Sequence, residues 1–304
     1  MIYLILSILF LSLLPVTMRI GLEQGGKPEG MNVFYRIIPG IMALTMIFFR
    51  DHPIEFVCLA VKSEAFFYGL VGTFFFWLGG YAGIKTVSYG PLGISWTIMR
   101  LSMLLPTLAS VLYWHEIPLI GINGLAGIRG LGVIFASLAA ILFGIDHVNS
   151  HKNRDVSKIP HNNFRVWIYW LAASFLLRGC WEIVLRASGS FDGDDAKSIF
   201  MGTVFIGAML LSLPGLVILK KRINRKDIVF GLLLGICSLA GQGIRPWVLK
   251  YVGGIIVFPA TSIFVSLLVL VFGYLFWREK IGRIGFVGIG ATIVGILLLS
   301  VKLS

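Results

Sequence analysis

Charged residues are scarce in this chain of 304 residues, where Asp, Glu, Lys and Arg together make up 13%. Soluble globular proteins carry about 25% charged residues. Acidic residues are the scarcer kind, since 14 Asp and Glu stand against 26 Lys and Arg and leave a formal net charge of +12. With 57% apolar residues and a mean hydropathy of +0.90, this composition excludes a soluble enzyme, a disordered regulator and a nucleic-acid-binding module.

Residue patterns for catalysis, metal binding and disulfide bonding are also missing. The cysteines Cys58, Cys180 and Cys237 have no CxxC spacing and indicate neither a disulfide framework nor a zinc site. The sequence has no HExxH, GxSxG or Walker A motif, and all five histidines fall in predicted loops. We therefore expect no enzyme activity, no metal and no cofactor, although a Ser–Lys catalytic arrangement stays open.

Long apolar runs are what the sequence has instead, and ten are long enough to cross a bilayer, which takes about 20 residues. The first is expected to be an uncleaved helix, because no basic segment precedes it and its apolar run is too long for a secretory signal. The hydrophilic stretch 146–162 predicts a linker between two units of five spans, 1–145 and 163–304. The predicted fold is an all-α membrane protein with spans at residues 2–22, 32–50, 65–87, 91–114, 124–145, 163–187, 198–219, 228–249, 253–277 and 284–301.

The two halves resemble each other at a constant offset, which puts YWHE at 113–116 on FWRE at 276–279. The same offset aligns several glycines and exchanges the signs of one i,i+4 charge pair. These matches are Gly72 with Gly235, Gly80 with Gly243, Arg19 with Glu182, and Glu23 with Arg186. Because five spans per half is an odd number, the second half must enter the membrane from the opposite side. An inverted repeat of this kind is typical of secondary transporters, whose substrate site lies near the midplane between the repeats.

Basic residues in the loops predict the orientation. Loops on one side carry 13 Lys and Arg, among them the run KKRINRK at 220–226, and loops on the other side carry 5. The positive-inside rule places the more basic side in the cytoplasm and both termini outside. We expect a multi-pass protein of the plasma (inner) membrane.

Charged residues inside the spans are few and costly. Arg100 and Arg178 lie near the middle of the fourth and sixth spans, Arg245 lies toward the end of the eighth, and Glu182 is the acidic residue well inside a span. A central arginine costs about 2.5–3.5 kcal/mol on the insertion scale, so these side chains should face a wet cavity or a partner. Two alternatives stay open: an internal Arg178–Glu182 ion pair, and extension of Arg245 and Arg36 to the membrane interface.

Polar and aromatic side chains form stripes at helical spacing on four spans. The stripes are Ser174, Arg178 and Glu182; Ser238, Gln242 and Arg245; Thr73, Trp77 and Tyr81; and Trp96, Arg100 and Met103. Facing one another, they would surround a central chamber, although core packing is the alternative for the aromatic residues. The predicted substrate-binding residues are Arg100, Arg178, Glu182, Arg245, Gln242, Trp96, Trp181, Trp77 and Tyr81.

One phrase recurs at the ends of the fourth and ninth spans, PTLASVLYWHEIP at 106–118 and SLLVLVFGYLFWREKIG at 266–282. With this phrase and the ten predicted spans, the chain resembles the EamA-type permeases of the drug/metabolite transporter superfamily over its whole length. The resemblance implies a pathway built from helices of both repeats, with the fifth and tenth helices peripheral. It makes Glu116 and Glu279 structural positions at helix ends.

The excess of arginine over acid inside the spans favours an anionic or zwitterionic cargo, because guanidinium groups suit carboxylates and phosphates. We expect alternating access, with the acidic group of the metabolite near the arginines and its apolar part on Trp96, Trp181 or Trp77. Alternatives are a cationic drug exporter that uses Glu182, an integral-membrane enzyme or an accessory subunit. The expected partners are a small molecule and the lipid bilayer, without nucleic acid; a homodimer stays open.

Overall fold

The computed structural model of the chain describes residues 2–89, 92–114, 161–219, 223–277 and 282–300, together with isolated helical positions between 131 and 145. Within these residues the chain forms helices and no strand. The helices with defined bounds in this part of the chain are α1 (Ile2–Glu23), α2 (Pro28–Phe48), α3 (Pro53–Lys62), α4 (Glu64–Tyr89), α5 (Leu92–Leu101), α6 (Leu104–Leu112), α7 (His161–Ser188), α8 (Gly193–Leu219), α9 (Arg225–Gln242), α10 (Arg245–Val252), α11 (Gly254–Trp277) and α12 (Arg283–Ser300).

Six helical segments of the described chain are long and apolar enough to cross a membrane. This number of candidate spans indicates an integral membrane protein. The segments are Ile2–Glu23, Pro28–Phe48, Glu64–Tyr89, Phe164–Ser188, Gly193–Ile218 and Arg225–Val252.

The remaining predicted spans are matched in part. Shorter apolar helices cover Ile98–Ser110 and Val257–Gly273, within the predicted fourth and ninth spans, and α12 corresponds to the tenth. The predicted fifth span lies outside the described residues apart from isolated positions, and the predicted linker does so up to residue 160. The structure also contains α3, which no predicted span includes.

Two predicted spans are broken in the structure, and a proline lies in the first turn after each break. The fourth is divided between α5 and α6, and the eighth between α9 and α10. Pro106 and Pro246 have no N–H to donate to the carbonyl four residues earlier, which lies at the break in both cases. Arg100 comes just before the first break, and Arg245 comes directly after the second.

Helices from before the predicted linker pack mainly against helices from after it. Helix α4 packs against α7 and α8, and α9 packs against α1 and α2. Helix α11 packs against α1, α5 and α6, while α2 and α8 contact each other. Aromatic rings fill part of the buried core between these helices, with Trp181 against Phe76 at 4.9 Å between centroids and Phe76 against Phe205 at 5.8 Å.

Glycines allow the closest of these contacts. The GxxxG spacing of Gly231 and Gly235 predicts close helix packing, and the structure confirms it at the interface of α9 with α2. A Cβ atom at Gly231 would lie 2.5 Å from Cβ of Phe34, and one at Gly235 would lie 3.1 Å from the carbonyl oxygen of Tyr35. A side chain at either position would therefore push the two helices apart.

A fully buried carboxylate, that of Asp227, joins the α1–α2 turn to the start of α9. Its Oδ1 accepts a hydrogen bond from the backbone N–H of Lys27 at 2.6 Å, and its Oδ2 accepts one from the backbone N–H of Asn224 at 3.0 Å. The side chain of Asn224 accepts in return from the N–H of Asp227 at 2.9 Å. This capping box satisfies backbone donors at the helix start and ties two distant segments together.

Replacing Asp227 with alanine should destabilise the protein, because two backbone N–H groups would lose their acceptor. We expect a loss of about 1–3 kcal/mol, seen as a lower midpoint of thermal unfolding in detergent. Asp51→Ala is the matched control, since the Asp51 side chain is exposed and its removal should leave the midpoint unchanged. Equal midpoints for the two variants would contradict this role for Asp227.

Candidate functional site

Two guanidinium groups lie over the ring of Trp96. Cζ of Arg100, in the last turn of α5, is 5.1 Å from the ring centroid, and Cζ of Arg178, in the middle of α7, is 4.8 Å away. Trp96 and Arg100 are both buried, and cation–π attraction is strongest where water is excluded. Among the described residues, neither guanidinium has a carboxylate partner or a hydrogen-bond acceptor.

Arg245 is held by Glu182 and Gln242. Its Nη1 donates to Oε1 of Glu182 at 2.8 Å and to Oε1 of Gln242 at 2.9 Å, and its Nη2 lies 2.7 Å from Oε2 of Glu182. The Arg245 side chain is 2% exposed, so the interpretation that it extends to the membrane interface is wrong. The internal Arg178–Glu182 pair is also wrong, because Glu182 binds across to α10 instead.

The predicted i,i+4 ion pair forms in the first half of the chain, whereas the acidic residue of the second half pairs with another helix. Arg19 and Glu23 form the i,i+4 pair on α1, with 2.9 Å between Nε and Oε1. On α7, Glu182 turns to Arg245, and Arg186 donates to the hydroxyl of Ser190 at 3.3 Å. The acid on α7 therefore belongs to the central cluster.

Arg36 also belongs to the cluster, which corrects its predicted place at the membrane interface. Its side chain is 1% exposed, and its Cζ lies 3.9 Å from the ring of Tyr35 and 4.0 Å from the ring of Phe76. Its Nη2 donates to the carbonyl oxygen of Phe76 at 2.8 Å. Helix α2 begins at Pro28, so Arg36 lies about 12 Å into the helix at 1.5 Å per residue. Proline favours the first helical turn, and this signal in the sequence identifies the true start.

Two adjoining cavities lie among these side chains and share Arg100, Arg178 and Glu182. The centre of a water molecule can reach about 30 Å³ of the first and about 10 Å³ of the second. This conformation therefore has room for one or two water molecules and not for a metabolite. The first is also lined by Leu11, Leu14, Tyr35, Arg36, Phe75, Phe76, Gly79, Gly80, Trp181 and Gln242, and the second by Met99, Ser102, Met103, Arg245, Phe258 and Ser262.

The predicted aromatic residues are distributed differently. Trp181 lines the first cavity, whereas Trp96 lies behind the arginines and lines neither. Trp77 donates its indole N–H to the hydroxyl of Ser212 on α8 at 2.9 Å, and the ring of Tyr81 packs against a tryptophan ring of α7 at 5.6 Å. The structure thus places Trp77 and Tyr81 in helix packing and brings together the other predicted residues, namely Arg100, Arg178, Glu182, Arg245, Gln242, Trp96 and Trp181.

Positive charge dominates the site. Among the described residues, four guanidinium groups and one carboxylate line the two cavities, a formal excess of three positive charges. Arg36 and Arg100 come from the first half of the chain, and Arg178 and Arg245 from the second. No group of three or more His, Cys, Asp or Glu that could hold a metal ion occurs among the described residues. Glu116 and Glu279 lie outside those residues.

Comparison with known proteins establishes the fold alone. No family model and no curated protein matches the chain, whereas 27 solved chains match it in structure. One crystal structure superimposes with a TM-score of 0.62 and 13% sequence identity, over 98% of this chain and 96% of the other. At this identity the likeness concerns the course of the backbone and not the activity.

Replacing Glu182 with glutamine should strongly destabilise the protein, because Arg245 would keep a buried charge without its carboxylate. Breaking such a pair costs about 3–5 kcal/mol, measurable as a fall in the thermal unfolding midpoint in detergent. The double variant Glu182→Gln/Arg245→Gln removes both charges and should recover most of the loss. A double variant no more stable than Glu182→Gln would refute the pairing.

Replacing Gly80 with alanine should displace Arg36, since a Cβ atom there would lie 1.8 Å from Nη2 of Arg36. Overpacking of this kind costs about 1–3 kcal/mol, again measurable as a lower unfolding midpoint. Gly202→Ala is the matched control, because its Cβ would meet no atom within 4 Å and alanine is the better helix former. The prediction fails if the two variants have the same midpoint.

Proposed function

We propose that the chain is a secondary transporter that moves a small anionic or zwitterionic metabolite by alternating access, as an EamA-type member of the drug/metabolite transporter superfamily. One observation carries this proposal: in the part of the chain that the structure describes, four buried guanidinium groups, two from each half, surround cavities lined by one carboxylate. Arginine inside a membrane protein is costly and usually marks a pathway or a ligand site. A negatively charged cargo would compensate the excess charge.

The packing of the helices supports the proposed architecture of ten spans in two inverted five-helix repeats, 1–145 and 163–304, around the linker 146–162. In that architecture α1, α2 and α4 are equivalent to α7, α8 and the α9–α10 segment, and α5–α6 is equivalent to α11. Every major contact then has a counterpart, since α4 packs on α7 and α8 as α9 packs on α1 and α2. The contacts of α5 and α6 with α7 likewise correspond to those of α11 with α1.

Alternating access gives the small cavities a role. A space for one or two water molecules suits a conformation between the two open ones, and a cargo would enter after the repeats rock apart. The helix breaks beside Arg100 and Arg245 put these side chains where helix segments can shift. The orientation with both termini outside, the plasma membrane location and a homodimer remain predictions.

A cationic drug exporter is the weaker candidate. It needs a carboxylate that is free to bind the drug, and both oxygens of Glu182 contact Arg245. The flux experiment below also separates the remaining alternatives: a chemically altered cargo would identify an enzyme, and a pure protein without flux but with a tight partner would identify an accessory subunit.

Reconstitution into liposomes tests the proposal. The purified chain should accumulate or exchange labelled organic acids and amino acids from a mixed panel, and should leave labelled cationic dyes outside. Arg100→Gln and Arg178→Gln should each reduce this flux about 10- to 100-fold, since a hydrogen bond to a charged group contributes about 1.5–3 kcal/mol.

The matched control is Arg165→Gln, which makes the same substitution at an exposed position of α7 and should leave flux unchanged. Flux that survives both central substitutions would remove the arginines from the pathway. Absence of flux for the whole panel would refute the proposed function.

A further inference from the structure

We propose that the cargo carries at least two negative charges and no positive one, as a dicarboxylate or a phosphate ester does. This inference rests on the proposed function and narrows its substrate class. Glu182 neutralises Arg245, so Arg36, Arg100 and Arg178 remain as three guanidinium groups without a carboxylate partner among the described residues. A single carboxylate on the cargo would leave most of that charge uncompensated.

The carboxylate and amide oxygens among the described residues of the cavity face Arg245. Oε1 of Glu182 and the amide oxygen of Gln242 accept hydrogen bonds from this guanidinium, and Oε2 of Glu182 lies 2.7 Å from its Nη2 without accepting a hydrogen bond. The carbonyl oxygen of Phe76 accepts from Arg36. The ammonium group of a zwitterion needs such acceptors, and it would also be repelled by the neighbouring guanidinium groups.

Hydrogen-bond donors, in contrast, are left over. Among the described residues at the site, several buried N–H groups have no acceptor: Nε and Nη1 of Arg36, Nε of Arg100, Nε of Arg178 and the indole N–H groups of Trp96 and Trp181. Buried donors without acceptors are costly. Carboxylate and phosphate oxygens accept in pairs from one guanidinium, so a doubly charged anion fits a site that is rich in donors and poor in acceptors.

Release of Glu182 to bind an ammonium group is disfavoured by the same geometry. Arg245 is 2% exposed and would be left buried without its carboxylate. Removing one partner of a buried ion pair costs far more free energy than removing one partner of an exposed pair. The Glu182–Arg245 pair therefore acts as a neutral wall of the site, and not as the place for a cationic group of the cargo.

Thermal unfolding of the purified full chain in detergent tests the charge of the ligand. The probes are succinate, 4-aminobutanoate and 1,4-diaminobutane, three four-carbon compounds that differ in charge, with pyrophosphate as a phosphorus-based anion that carries at least two negative charges and sodium chloride to equalise ionic strength. Succinate or pyrophosphate should raise the unfolding midpoint in a saturable way, because a ligand of the folded state stabilises it. The better dianion should bind at least about 10-fold more tightly than 4-aminobutanoate and the diamine. No stabilisation by either dianion, or equal or better stabilisation by 4-aminobutanoate, would overturn the inference.

Substitutions test whether the dianion binds at the arginine cluster. Arg100→Gln and Arg178→Gln should each weaken binding of the dianion about 10-fold or more, while Arg165→Gln should bind it like the unchanged protein. The double variant Glu182→Gln/Arg245→Gln should keep its preference for the dianion, since that pair contributes no net charge. Loss of the preference in the double variant would count against the neutral wall, and the unfolding transition itself reports whether each variant is folded.

The liposome assay separates this inference from the proposed function. Stabilisation by a dianion without flux of any compound would refute transport and leave the site's charge preference standing. Flux of 4-aminobutanoate or another zwitterion, with no binding of succinate or pyrophosphate, would refute the dianion and leave transport standing.

Discussion

Positive charge buried inside a bundle of membrane-spanning helices is the constraint on which the rest of this structure depends. Removing an ion from water costs several kcal/mol unless other groups replace its hydration. The chain supplies three kinds of replacement: the carboxylate of Glu182 for Arg245, two rings and a carbonyl oxygen for Arg36, and the ring of Trp96 for the remaining two guanidinium groups. Of these three, only the carboxylate of Glu182 cancels charge, so the cavity keeps a positive potential.

The backbone is shaped to bring these groups together. Gly80 leaves space for the guanidinium of Arg36, and Pro106 and Pro246 accompany the breaks next to the arginines of α5 and α10. A proline alone does not decide where a helix breaks, because Pro15 and Pro39 lie inside continuous α1 and α2. A break persists where surrounding groups compensate the freed carbonyl, which is a property of tertiary packing.

The sequence was enough to predict which helices are long and which arginines are buried, but not which groups those side chains contact. Apolar run length located the long helices, and the cost of a central charge identified Arg100 and Arg178 as buried. Arg36 was misplaced because the predicted start of its span was four residues late. Helical spacing pairs Glu182 with Arg178, yet the bond goes to Arg245, 63 residues away. Helical spacing likewise predicts which face of its helix carries Trp77, but not which other helix packs against that face.

The main helix contacts of one half have counterparts in the other, but the charges of the two halves differ. Among the described residues of the site, each half contributes two guanidinium groups, while the carboxylate comes from α7 alone. Positive charge is therefore concentrated on α2, α5 and α7, and the part of the site next to α10 is locally neutral. In the proposed transporter the halves would exchange roles, which would preserve the shape of the pathway while its electrostatic potential stays fixed to particular helices. A charged cargo would then keep its acidic groups toward α2, α5 and α7 in both open states, so that affinity would be set by the arginines and access by the proposed repeats.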